Sequence, residues 1–115
     1  MKPKVNNQGL TLDKLDKTVK EAVRKISKAI KPEKVFLFGS RANGNSNRDS
    51  DIDLLLLYSG LEDKRTVRLK THRLFDSPRF SLDIFVLTPQ EFEEQRKVAN
   101  TLAREVSERG IVCYG

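Results

Sequence analysis

Apolar positions along this chain follow two spacings, and their alternation predicts an α/β order. Leu12, Leu15, Val19, Ala22, Val23, Ile26 and Ile30 recur at steps of three and four residues. That period gathers them on one face of a helix, with Thr11 as its cap and Asp13 in its first turn. Lys31-Pro32 stops the helix, because proline disfavours helical backbone in the residue before it. Val35-Phe36-Leu37-Phe38 is a continuous apolar run closed by Gly39 and reads as a buried strand. Residues 43–50 are a polar loop rich in turn formers. Asp51 to Tyr58 predicts a second strand, broken by Ser59-Gly60. Residues 61–76 look helical with a poor stripe: Leu61, Val67, Leu69, Leu74 and Phe75 share no clean face. Ser77-Pro78 ends that segment, and Phe80 to Leu87 predicts a third strand.

Thr88-Pro89-Gln90-Glu91 is a strong helix start. Threonine stands at the cap, proline at the first helical position and glutamate three after the cap. The spacing predicts one helix from there to Gly110, burying Phe92, Ala99, Leu102, Ala103 and Val106, with the glycine in its customary place past the end. Ile111 to Tyr114 makes a last short strand. The order is helix, strand, strand, helix, strand, helix, strand, which implies a sheet with helices packed against it. Residues 1–10 read as a loose arm and 11–115 as one domain.

Composition narrows the setting. The chain has 115 residues, of which 37% are hydrophobic and 33% charged. Organised apolar runs exclude a disordered class. The net charge of +6 favours anionic partners without choosing among them. Cys113 is the only cysteine, so no intrachain disulfide forms, and in an apolar stretch it reads as a small hydrophobe. With no signal-peptide pattern, the expectation is a reducing cytoplasm. No apolar run is long enough to span a bilayer.

Two features resist the core pattern. Asp51 and Asp53 alternate with Ile52, so their carboxylates share one face of a strand that is otherwise apolar. Like charges at such spacing repel, and carboxylates near a core are costly to desolvate. A divalent cation relieves both, and hard oxygen donors suit magnesium or manganese. A plain alternative has Asp51 capping the loop and Asp53 pairing with an arginine. The second feature is Gly39-Ser40, directly after a strand. Glycine admits a ligand close to the backbone, the serine hydroxyl and nearby N–H groups can receive phosphate oxygens, and Arg41 adds charge. By itself this is simply a turn. Asp83, inside Leu82-Asp83-Ile84, needs a partner and gains one if its strand lies beside Asp51 and Asp53.

Taken together, Phe38-Gly39-Ser40, ten intervening residues, Asp51-Ile52-Asp53-Leu54 and then Asp83 resemble the nucleotidyltransferase superfamily related to DNA polymerase beta. The stretch Phe-Gly-Ser-Arg-Ala-Asn-Gly…Asp-Ser-Asp-Ile-Asp-Leu is similar to the small MNT-type proteins, which usually carry arginine where this chain has Asn43. The resemblance runs from about Val35 to the C-terminus. It implies a small mixed sheet flanked by helices, like the polymerase beta palm. It implies that Asp51 and Asp53 hold two magnesium (or manganese) ions, with Asp83 sharing one and accepting the acceptor's proton. It implies that Gly39 and Ser40, with Arg41 as a lesser contributor, hold the phosphates of ATP or another NTP. The product would be an acceptor carrying NMP, plus pyrophosphate.

The resemblance also suggests partners. MNT proteins pair with a helical HEPN partner in toxin–antitoxin systems and can adenylylate it. An antitoxin that acts by binding alone is one alternative, and a small-molecule enzyme of the aminoglycoside type is another. A homo-oligomer is compatible with this reading. Nucleic-acid binding has only charge in its favour. His72, the lone histidine, reads as a surface residue on the basic segment.

Overall fold

In the computed structural model of the chain, which describes residues 17–39, 42, 51–75 and 81–115, four strands form one mixed sheet with helices on both faces. The elements in chain order are α1 (Lys17–Ile30), β1 (Lys34–Phe38), β2 (Ile52–Leu57), α2 (Lys64–Arg73), β3 (Leu82–Leu87), α3 (Pro89–Gln95), α4 (Leu102–Arg109) and β4 (Ile111–Tyr114). The expected arm at 1–10, the Thr11 cap with Leu12 and Leu15, the loop at 43–50 and Phe80 lie outside the described residues.

The sheet order is β3-β2-β1-β4. β1 pairs antiparallel with both β2 and β4, whereas β2 and β3 run parallel. The two central strands are apolar at nearly every position because helices cover both of their faces. Val35, Leu37, Ile52, Leu54 and Leu56 pack with Val19, Val23, Ile26 and Ile30 of α1 and Val67 of α2. Phe36, Phe38, Leu55 and Leu57 pack with Phe92 of α3 and with Ala103 and Val106 of α4. The edge strand β3 alternates instead: Leu82, Ile84 and Val86 are buried, while Asp83 and Phe85 face outward.

Local chemistry explains the element ends. α1 stops where Lys31 takes a left-handed φ of 56° and its N–H reaches the Ser27 carbonyl at 3.2 Å, and Pro32 follows. Asp63 caps α2 by accepting from the Thr66 N–H at 2.7 Å. The poor stripe of this segment is real: Val67 and Thr71 are its only buried residues, and Leu61 and Leu69 are exposed. The Thr71 hydroxyl is satisfied by donating to the Val67 carbonyl at 2.7 Å.

The single helix expected from Thr88 to Gly110 is two helices, and Ala99, expected on its buried face, stands exposed between them. Thr88 and Glu91 form the predicted reciprocal capping box. Thr101 then makes the break. Its hydroxyl donates toward the Gln95 and Val98 carbonyls, at 2.8 and 2.9 Å, and accepts from the Arg104 N–H at 3.1 Å. One side chain thus serves the end of α3 and the start of α4, with Asn100 turning the chain at φ 65°. Gly110 closes α4 for a reason other than the one its position suggests. Its φ is −74°, open to any residue, but a Cβ there would sit 2.6 Å from the Val106 carbonyl oxygen. Among the described residues no helix is long and apolar enough to cross a membrane.

Candidate active site

Strand alternation and register assemble the site. Leu55 and Leu57 turn toward α3 and α4, so Asp53, two residues earlier on β2, lies on that same face at its uncovered end. The antiparallel register sets Phe38 opposite Asp53 on one side, and the parallel register sets Asp83 beside it on the other. The Asp53 and Asp83 carboxyl groups are thus close neighbours on adjacent strands. Two carboxylates so placed repel, which favours the protonated form of the more buried one. The Asp53 carboxyl is accordingly pushed up to about 6, first by burial, then by contact with Asp83 and the charge there, and to a lesser degree by the charges of Asp51 and Glu105.

Gly39 lies against the same carboxylate. It leaves β1 with φ +79°, a conformation that favours glycine, and a Cβ at this position would overlap Asp53 Oδ2. The chain then turns, with the Ala42 N–H donating to the Gly39 carbonyl at 3.1 Å and Ala42 fully buried. Gly39, Asp53 and Asp83 are therefore brought together. Asp51 is exposed at the strand's entry, near enough for its charge to act on Asp53. Ser40 and Arg41 lie outside the described residues.

The donor set suits magnesium or manganese. Both groups offer hard oxygens, and a cation would relieve their repulsion. Among the described residues no three His, Cys, Asp or Glu side chains close around one point. Magnesium is commonly held by one or two carboxylates with substrate phosphates and water completing the shell, so an open pair fits it better than a closed cage would.

Two neighbours escaped the sequence reading. Phe85 is 39% exposed beside Asp83, and its ring meets Phe38 at 5.5 Å between centroids. The alternation of Asp83 and Phe85 on one side of β3 was the available signal. Glu105 adds its charge to Asp53 from α4, and only the tertiary fold brings it there.

Comparisons with known proteins agree with this geometry. Residues 16–112 match the family model described as the nucleotidyltransferase domain. No curated protein matches the chain. Among solved structures, one similar to it is a Sulfolobus solfataricus protein assigned as a nucleotidyltransferase. It is 28% identical, with 72% of this chain and 75% of that one covered and a TM-score of 0.52. Another is a toxin–antitoxin crystallised with AMP-PNP, at 22% identity, 84% and 73% coverage and a TM-score of 0.59. At that identity the second likeness concerns the fold alone.

Proposed function

The chain belongs to the nucleotidyltransferase domain family, and from that premise we propose that it moves AMP from ATP onto a hydroxyl of a partner protein. The observation that carries this reading is the Asp53–Asp83 carboxyl pair on an open sheet face, with the Gly39 backbone against it. Residues 11–115 form the catalytic domain in this reading. Asp51 and Asp53 hold magnesium, with manganese able to replace it, and Asp83 shares in the binding. When bound, the metal neutralises triphosphate charge and lowers the pKa of the acceptor hydroxyl. Gly39 lets the backbone approach the phosphates, and Ser40 and Arg41 supply a hydroxyl and a positive charge to them. Asp83, on the edge strand, stands where an acceptor can approach and takes the hydroxyl proton. The acceptor oxygen bonds to the α-phosphorus, and pyrophosphate leaves with the bond it breaks.

The toxin–antitoxin likeness and its ATP analogue support a partner protein as acceptor, and this reading takes that partner to be of HEPN type. The test is incubation with ATP labelled at the α-phosphate, magnesium and the product of the adjacent gene. Label should appear on that protein, and Asp53→Ala should reduce it on the order of 100-fold. Equal labelling by wild type and Asp53→Ala, or none by either, would reject the transferase reading. Neutralisation of the partner by Asp51→Ala in cells would favour action by binding alone.

A further inference from the structure

The charge of this chain is divided between the two sides of its sheet. On one side, α1 carries Lys17, Lys20, Arg24, Lys25 and Lys28 against a single acid, Glu21. Beside it, α2 carries Lys64, Arg65, Arg68, Lys70 and Arg73 and no acid. Five cations against one acid and five against none give the two helices nine net positive charges, which Glu62 and Asp63 at the start of α2 reduce to seven. On the other side, α3 has three glutamates and no cation, α4 is balanced, and Arg96 and Lys97 stand between them, so that layer is one charge negative. The net charge of +6 therefore hides a strongly polar molecule.

All ten cations are exposed. Along α1, Lys17, Lys20, Arg24 and Lys28 follow steps of three and four, opposite the buried stripe of Val19, Ala22, Val23, Ile26 and Ile30. They form a ridge about 17 Å long at 1.5 Å per residue. On α2, Lys64 and Lys70 are held by Glu91 and Glu62. Among the described residues no ion pair holds Arg24, Lys28, Arg68 or Arg73.

We propose that the α1–α2 layer docks duplex DNA through its phosphates, without sequence preference. The outward face of α1 has no large apolar residue, whereas the centre of a protein interface is apolar and poor in lysine. It offers lysines and arginines with no Asn or Gln to pair adenine, a set that suits phosphate contact in any sequence. An α-helix fits the roughly 12 Å major groove of B-DNA, so cations on its flanks can reach both phosphate walls. The corresponding groove of RNA is too deep and narrow for a helix to enter. The surface lies across the sheet from Asp53 and Asp83, so bound DNA leaves the carboxylate face open. The proposal stands independently of the transferase reading.

The test is fluorescence anisotropy of the full chain with a labelled mixed-sequence DNA duplex, from about 50 to 200 mM salt. The slope of log K against log salt should be about −4, for four to five phosphates neutralised. Arg24→Glu/Lys28→Glu should weaken binding at least about tenfold and flatten the slope by about 2. Lys97→Glu/Arg109→Glu, with the same net charge but changes outside this layer, should bind as wild type does. Arg24→Gln/Lys28→Gln, with Lys97→Gln/Arg109→Gln as its charge-matched control, serves in place of the first pair if circular dichroism shows the Glu variant unfolded. Absence of wild-type binding at low salt, or equal losses in the two charge-matched variants, overturns the proposal. So does tighter binding to an RNA duplex, or displacement of the DNA by fewer charge equivalents of polyglutamate than of unlabelled duplex. The last outcome would assign the surface to an acidic protein.

Discussion

The two faces of the sheet are built from the same strands and have opposite characters. Under α1 and α2, every inward residue of β1 and β2 is apolar and at most 1% exposed. Under α3 and α4 the cover is partial. Phe36 stacks on Phe92 at 5.2 Å at one end, while the other end leaves Asp53 half-buried and Asp83 and Phe85 exposed. One face supplies the burial that stabilises a small domain. The other gives up burial at its open end and places like charges there. Functional groups commonly sit where stability is sacrificed, and here the sacrifice is confined to one end of one face.

Substitutions on the two faces should separate these roles. The largest effect on folding belongs to Leu54→Ala, which empties a fully buried position on the closed face. It should lower unfolding free energy by about 2–5 kcal/mol, measured by urea titration, because the cavity adds to the lost transfer energy. A cost under about 1 kcal/mol would show that the face is less tightly packed than its burial implies. Gly39→Ala should act on the open face. The added Cβ meets the Asp53 carboxylate and occupies a left-handed backbone position. A destabilisation of about 1–2 kcal/mol is expected, with a larger fractional loss of transferase activity. Wild-type turnover would break the link between Gly39 and the carboxylate pair.

Asp53→Asn sharpens the comparison through pH. The folded-state value of about 6 lies above the ordinary 3.8. The folded protein therefore binds more protons than the unfolded one between these values, and stability falls as pH rises from about 4 to 6. Above that window the ionised carboxylate carries its full cost. In metal-free buffer, Asp53→Asn should raise Tm by on the order of 4 °C at pH 7.5, equivalent to about 1 kcal/mol after allowance for solvent screening. The gain should fade toward pH 4, and magnesium should stabilise the wild type more than the variant. A Tm gain independent of pH would remove charge repulsion as its cause.

The closed face was more legible in the sequence than the open one. The three-and-four spacing of Val19 to Ile30 and the apolar runs of β1 and β2 report burial directly, because each contact follows from local periodicity. The Asp51–Asp53 spacing also reports a shared face. The partnership with Asp83 does not. It needs β2 and β3 to lie parallel and in register, a non-local fact that the carboxylate in an apolar strand could only suggest. Glu105 is further still from view, since its proximity depends on how α4 crosses the sheet. The helix after Thr88 failed for the opposite reason. Its apolar spacing continued through Ala99, but hydrogen bonds made by one threonine outweighed the local pattern.

That threonine gives the smallest and most local test. Thr101 caps α4 and also draws on two carbonyls at the end of α3, so it sets the angle at which both helices cover Phe36 and Leu57. Thr101→Ala removes the cap and should cost about 1 kcal/mol. Thr101→Ser keeps the hydroxyl and should recover most of it. Because α4 also carries Glu105 toward Asp53, Thr101→Ala should reduce transferase activity modestly, by about twofold to fivefold, without changing the stability contributed by the closed face. Amide hydrogen exchange can separate the two: protection should fall in α3 and α4 while α1 and the β1–β2 ladder keep theirs. Equal loss across the sheet would mean that its faces unfold as one unit, and that the division between a stabilising face and a working face is one of chemistry without a matching division in local stability.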